Sequence, residues 1–239
     1  MNLNIQKPIY LMGGGHGRGM RSTFCILRSI IKDIGKVKPT ISYVGVANGD
    51  NMVAYLMISI MMKAARKCHV KRVLIASKKA DIGKAREALQ SADAIFMSGG
   101  DVDAGMKILE EKNMVSFFRD LSKQDKLFFG VSAGSIMLAN EWVRWRDPHD
   151  DSTTELFPCL SIVPVICDTH AEAEDWEELK AVLQLKEDGA FGYGIPSGSC
   201  LKIYPDGRAE ALGGVITRYI RQSGQVERQA NLLPIDHTK

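Results

Sequence analysis

The chain has 239 residues, of which 45% are hydrophobic and 25% charged, and its net charge is +3. A chain of this size and balance can bury a substantial core without disulfides or metal. The small, dispersed basic excess excludes a nucleic-acid binder built on a strong field. No apolar run reaches the length of a membrane span, since the one beginning at Met52 is closed by Lys63.

Residues 1–15 lack a charged start followed by a long apolar region, so no signal peptide is expected. Cys25, Cys68, Cys159, Cys167 and Cys200 are scattered and form no CxxC pair. They read as reduced, mostly buried thiols of a cytoplasmic protein with no metal site and no cofactor.

In chain order, a short apolar strand over residues 9–12 runs into Gly13-Gly14-Gly15-His16-Gly17-Arg18-Gly19. The spacing of apolar residues predicts a helix over 22–34, a strand over 40–46 and a helix over 52–67. A strand over 70–75, a helix over 80–91 and a strand over 94–97 follow, the last ending in Ser98-Gly99-Gly100-Asp101. Helices are expected over 104–112 and 114–123, then a strand over 127–130.

Short apolar strands alternating with amphipathic helices predict a doubly wound, mostly parallel α/β sheet with helices on both faces. In such sheets the ligand site lies beyond the carboxyl ends of the strands. The Gly-rich turns fall at that end, including the one at Ala47-Asn48-Gly49-Asp50. Past residue 140 the pattern changes. Residues 142–154 read as polar and irregular, 160–167 as a strand despite Pro164, and 172–185 as one amphipathic helix with Ala173, Trp176, Leu179 and Leu183 inward. A strand over 191–195 precedes a β-hairpin turning at Pro205-Asp206-Gly207, and the tail from residue 222 reads as polar and frayed. With no linker or repeat, residues 1–239 are expected to form one domain.

Chemistry concentrates where the strand at 127–130 stops at Gly130-Val131-Ser132-Ala133-Gly134. GxSxG between a buried strand and a helix is the spacing of a nucleophile elbow, although a serine there can also cap the helix. A catalytic serine needs a base within hydrogen-bond reach. Of the five histidines, His170 is placed best, at the end of a strand and just before a helix. His16, His69, His149 and His237 lie in loops, at a surface edge or in the tail.

The third member, a carboxylate to orient the imidazole, is least defined: Asp147 is one candidate and Asp168 another, while Glu172 and Glu174 are expected to face solvent. Oxyanion donors are expected from the N–H of Ala133 and from the Gly99-Gly100 turn. The first glycine loop fails the G-x-G-x-x-G pattern in every register and carries no phosphate-loop Gly-Lys-Ser/Thr. It is read instead as a pocket wall, in which Arg18 or Arg21 could meet a carboxylate.

Ala92-Asp93-Ala94-Ile95-Phe96-Met97-Ser98-Gly99-Gly100-Asp101 and Gly130-Val131-Ser132-Ala133-Gly134-Ser135 resemble the serine peptidase family S51, that of aspartyl dipeptidase (dipeptidase E) and cyanophycinase. So do Asp168-Thr169-His170, Gly192-Tyr193-Gly194-Ile195-Pro196 and Ala211-Leu212-Gly213-Gly214. The resemblance implies a flavodoxin-like fold similar to class I glutamine amidotransferases. It also implies hydrolysis of a peptide or isopeptide bond next to an aspartyl residue. Carried over by position, Ser132 matches the nucleophile, His170 the base, Asp147 the third residue, and Gly100 and Ala133 the oxyanion region, with Gly99, Asp101 and Asn48 placed to bind substrate.

Three positions depart from the family pattern. Ser197 stands where an acidic residue is usual, Ala171 replaces an aromatic, and an arginine is missing from Glu172-Ala173-Glu174-Asp175. The expectation is therefore a serine hydrolase of small peptides, with no nucleic-acid or membrane partner and with association as a homodimer allowed. The alternatives are an impaired family member that binds a small molecule or peptide, and an amidotransferase-like module.

Overall fold

The computed structural model describes residues 3, 5–14, 20–147 and 150–234. Its centre is five parallel strands: β1 (Ile9–Met12), β2 (Thr40–Val44), β3 (His69–Val73), β4 (Ala94–Met97) and β5 (Leu127–Val131). They lie in the order β1-β5-β4-β2-β3. Their side chains alternate between two cores. Ile9, Leu11, Ile95, Met97 and Phe128 enter one, and Tyr10, Met12, Phe96, Leu127 and Phe129 the other. Strands β1, β4 and β5 are buried on both faces and have no polar side, which is why they read as apolar runs.

Helices α1 (Met20–Asp33) and α2 (Met52–Ala65) cover one face. The other carries α3 (Ile82–Ser91), α4 (Val102–Glu111), α5 (Val115–Ser122) and the short α6 (Ala133–Leu138). Helix α2 is only half sheltered: Met52, Val53, Leu56, Met57 and Ile60 are exposed along one stripe. Among the described residues no helix is long and apolar enough to cross a membrane.

The second half departs from the sequence reading in four places. Residues 142–154 are not irregular throughout, because β6 (Glu141–Trp145) pairs with β7 (Thr154–Pro158) as an antiparallel hairpin. The strand expected over 160–167 is shorter and later, β8 (Ile166–Thr169). The amides of Leu160, Ser161, Ile162 and Val163 instead bond Met137 O, Ala139 O and Leu138 O at the end of α6. Pro164 has no N–H to offer a ladder there.

The helix expected over 172–185 is broken into a 3₁₀ turn at Glu172–Glu174 and α7 (Glu177–Gln184). Asp175 and Trp176 between them take left-handed backbone, with φ 48° and 60°. Trp176, Leu179 and Leu183 point inward as expected, whereas Ala173 is exposed. The tail is not frayed through residue 234. After β9 (Phe191–Ile195) and the hairpin of β10 (Cys200–Ile203) and β11 (Ala209–Leu212), β12 (Ile216–Gln222) pairs with β13 (Gln225–Leu232). Ser223 and Gly224 form their two-residue turn, both with positive φ, the geometry that matches the twist of a hairpin.

These strands build two sheets. Strands β10 and β11 extend the central one antiparallel beyond β1, giving seven strands in the order β11-β10-β1-β5-β4-β2-β3. Strands β13-β12-β9-β8 form a separate four-stranded sheet, with α7 packed against it. The site lies between the carboxyl end of β5 and that of β8.

Candidate active site

Ser132 follows β5 and precedes α6 with φ 53° and ψ −129°, a conformation that L-residues avoid unless their surroundings enforce it. Here the surroundings do. The Ser132 amide donates to Met12 O at 3.0 Å and the Ser135 hydroxyl donates to the same carbonyl at 2.9 Å. A side chain on Gly134 would lie 2.1 Å from Met97 O, and one on Gly130 2.5 Å from the Gly134 carbonyl. The two glycines are what let the strand fold back into the helix so closely. The cap alternative fails, because the Ser132 side chain makes no capping bond to α6. Its Oγ lies 2.8 Å from Nε2 of His170.

His170 arrives from the other sheet. It follows β8 with φ 48°, and its amide is held by Ile195 O on β9 at 3.0 Å. The left-handed turn swings an exposed imidazole off the strand end toward Ser132. His69 is exposed at the start of β3, while His16, His149 and His237 lie outside the described residues, as does Arg18. Arg21 is exposed on α1. Of the first glycine loop, Gly13 and Gly14 are described, and they pack on the 196–199 segment: Gly13 N–H donates to Ser199 O, and Gly198 N–H to Gly14 O.

On the opposite side of Ser132, Gly99 and Gly100 follow β4. A side chain on Gly99 would sit 3.1 Å from Ser132 Cβ, so the turn lies directly against the serine. Gly100 has φ +148°, and a side chain there would be 2.0 Å from Ala47 O. Asn48 and Asp101, expected to bind substrate, are both hydrogen-bonded to the protein. Asn48 Nδ2 donates to Gly99 O, Ser98 Oγ and the Tyr43 hydroxyl, and Asp101 Oδ1 accepts from Ala104 N–H as the N-cap of α4.

A cleft of about 460 Å³ opens over this group. Gly100, Asp101, Ser132 and Ala133 line one part, Asp168, Thr169, His170 and Glu178 another, and Trp142 to Trp145 of β6 a third. The sequence reading missed the β6 wall, although Glu141-Trp142-Val143-Arg144-Trp145 is rich in strand-forming residues. Arg144 in that wall is tied to Asp103 at 3.0 Å and Glu155 at 2.6 Å.

Asp147 is exposed just beyond β6, where its amide bonds the Thr153 hydroxyl, and it is outside this lining. Glu172 is exposed, as expected, and accepts the Ser197 N–H at 3.2 Å. Burial pushes its carboxyl up, but its own N–H, the Ser197 hydroxyl and amide, and the nearby His170 charge outweigh that and hold it below the usual range. Glu178 is pushed up by burial and by Glu174, against the pull of His170. Asp168 is buried, with Oδ1 accepting Thr169 N–H at 2.6 Å and Oδ2 lacking a partner among the described residues. Burial raises it to about 7, reinforced by Glu178 and Glu174 and partly offset by the Thr169 and Leu179 amides.

An α/β sheet whose carboxyl end presents a strained serine in contact with a histidine defines a site of the hydrolase class. Residues 9–210 match the family model for peptidase family S51, and the chain belongs to that family of peptidases. Among solved structures it is similar to a peptidase from an acI-B1 Actinobacterium, with TM-score 0.71 and 16% identity over 97% of this chain and 98% of that one. A protein assigned as a peptidase E from Listeria monocytogenes EGD-e gives TM-score 0.63 and 14% identity over 86% and 97%.

Among curated proteins, it is 26% identical over 134 residues to the pyridoxal 5'-phosphate synthase subunit PdxT of Bacillus cytotoxicus. That match covers 56% of this chain and 63% of the relative's length. The glutamine amidotransferase-like, mostly parallel fold expected from the sequence is thus found.

Proposed function

We propose that this peptidase is of the serine type and works through an acyl-enzyme on Ser132. The observation that carries the reading is the 2.8 Å contact between Ser132 Oγ and His170 Nε2, made by a serine whose backbone is held in a strained turn. Nε2 accepts the hydroxyl proton as Oγ attacks the scissile carbonyl carbon, so the resting imidazole carries its own proton on Nδ1. The N–H groups of Ala133 and Gly100, for which no acceptor exists among the described residues, stabilise the resulting oxyanion. The carbon–nitrogen bond then breaks, the proton on Nε2 goes to the leaving amine, and water repeats the cycle to free Ser132.

Three carboxylates compete to steady the imidazolium: Asp147, expected from the sequence, and Glu172 and Glu178, whose ionisation responds to His170. We favour Glu172, which Ser197 fixes at the position where the family pattern carries its own acid.

The substrate is a small peptide or isopeptide, cleaved beside an aspartyl residue. The family resemblance supports that preference. The test is a panel of α- and β-linked dipeptides, with aspartate on either side of the bond or absent, followed by mass spectrometry. Hydrolysis of the aspartyl members by the native protein and not by Ser132→Ala is expected. Turnover that survives Ser132→Ala would overturn the serine mechanism, and equal turnover of the non-aspartyl members would overturn the preference. No turnover by the native protein would favour the reading as a binding protein.

A further inference from the structure

We propose that Asn48, backed by Tyr43 and Ser98, is a positioning residue that aims the Gly100 N–H at the oxyanion; this rests on the serine-peptidase reading of the same site.

The chemistry of the neighbours fixes which way the Asn48 amide faces. Gly99 O can only accept, so the group 3.1 Å from it is the nitrogen Nδ2. The Asn51 N–H can only donate, so the group 3.0 Å from it is Oδ1. Nδ2 also reaches Ser98 Oγ at 3.0 Å and the Tyr43 hydroxyl at 3.3 Å, and Tyr43 donates to Ser98 Oγ at 2.9 Å. Tyr43 and Ser98 are buried. Every polar atom of the Asn48 side chain is therefore engaged with protein.

The anchored atom matters because of peptide geometry. In a trans peptide the carbonyl of one residue and the N–H of the next point in opposite directions. Drawing Gly99 O toward Asn48 turns the Gly100 N–H to the other side, where Gly100 lines the cleft beside Ser132. The next peptide is fixed as well: Asp101 N–H donates to Ala47 O at 2.8 Å. The 3₁₀ turn Val46–Asn48 thus grips the loop at two points on either side of the Gly100 N–H. The close seat of Gly100 on Ala47 O leaves no room for a side chain to loosen that grip. A donor held before the charge develops needs no reorganisation during reaction, and losing one such donor costs about 10²–10³ in kcat.

The experiment compares Asn48→Ala, Asn48→Asp, Tyr43→Phe and Ser98→Ala with the native protein, each first checked for an unchanged thermal transition. Four quantities are read: kcat, KM, the rate of Ser132 labelling by a fluorophosphonate, and the affinity of a peptide boronate, which places an oxyanion on the serine adduct. Asn48→Ala and Asn48→Asp are expected to lose about 10–100-fold in kcat and in boronate affinity with KM within about twofold. Tyr43→Phe and Ser98→Ala should lose about two- to fivefold, because the Gly99 bond survives.

Asn48→Asp is the discriminating variant, since it keeps the shape and the Oδ1 bond but has no donor for Gly99 O. Native kcat and boronate affinity in Asn48→Asp, or a rise in KM alone, would overturn the proposal. If the native protein itself takes no label and shows no turnover, the serine-peptidase reading has failed instead, and the two outcomes are separate.

Discussion

The two shoulders of Ser132 are built differently. On the Gly99–Gly100 side everything comes from the central sheet and the loops that end its strands, and the positions are set by short main-chain bonds and by contacts too close for a side chain. On the His170 side the imidazole hangs from the four-stranded sheet by one amide bond, among carboxylates pushed away from their usual ionisation by burial and by each other. One shoulder is fixed by geometry. The other is adjustable by charge.

The largest expected effect joins both shoulders. Ser132→Ala or His170→Ala should lower kcat/KM by about 10⁴-fold or more in any peptide the native protein cleaves. A loss below tenfold in either would show that the 2.8 Å contact has no catalytic use.

Next comes a strike at the rigid shoulder. Gly134→Ala places a methyl group where Met97 O already stands, and should cost about 3 kcal/mol or more, read as a lower denaturant midpoint with the same slope. A neutral outcome would mean that the elbow can yield.

The adjustable shoulder is tested by pH. Asp168 is held near 7 in the fold, above its ordinary value near 4, so the native state binds the extra proton between those limits. Stability from that proton is complete below about pH 4 and is lost as pH rises through about 7. Asp168→Asn should therefore match the native protein at pH 4 and exceed it by pH 7.5. At about 1.4 kcal/mol for each pH unit in the window, the gain is at most ~4 kcal/mol. Parallel stability curves would remove the buried proton.

Smallest is the orienting carboxylate. Glu172→Gln should lower kcat about tenfold and shift the acidic limb of the pH–rate profile, whereas Asp147→Asn should change kcat by less than about twofold. The reverse ranking would return the role to Asp147.

The same contrast explains what the sequence made legible. Helix and strand periodicity found the central sheet because its inner strands β1, β4 and β5 are buried on both faces and its helices are amphipathic. GxSxG and Gly99-Gly100 were readable because close backbone approach leaves glycine as the mark. The second sheet was harder. Strand β8 begins only after Pro164, because residues 160–163 bond the end of α6 instead. The break at Asp175 and Trp176 carries no glycine or proline to announce it.

Strands β12 and β13 were hidden by their polar outer faces, although Ser223-Gly224 marks their turn. His170 was found from its place at a strand end, but the fold of Glu172 onto the Ser197 N–H is a tertiary contact that no spacing encodes. Asn48 was expected to bind substrate, and the bonds of its amide to Gly99 O, Ser98 and Tyr43 are tertiary contacts that the sequence did not announce.

The most direct test of the central claim is intact-mass spectrometry after treatment with a fluorophosphonate. One adduct per chain, mapped to Ser132 and slowed at least about 100-fold by His170→Ala, is the result expected. No adduct on Ser132, or labelling at an unchanged rate in His170→Ala, would contradict it.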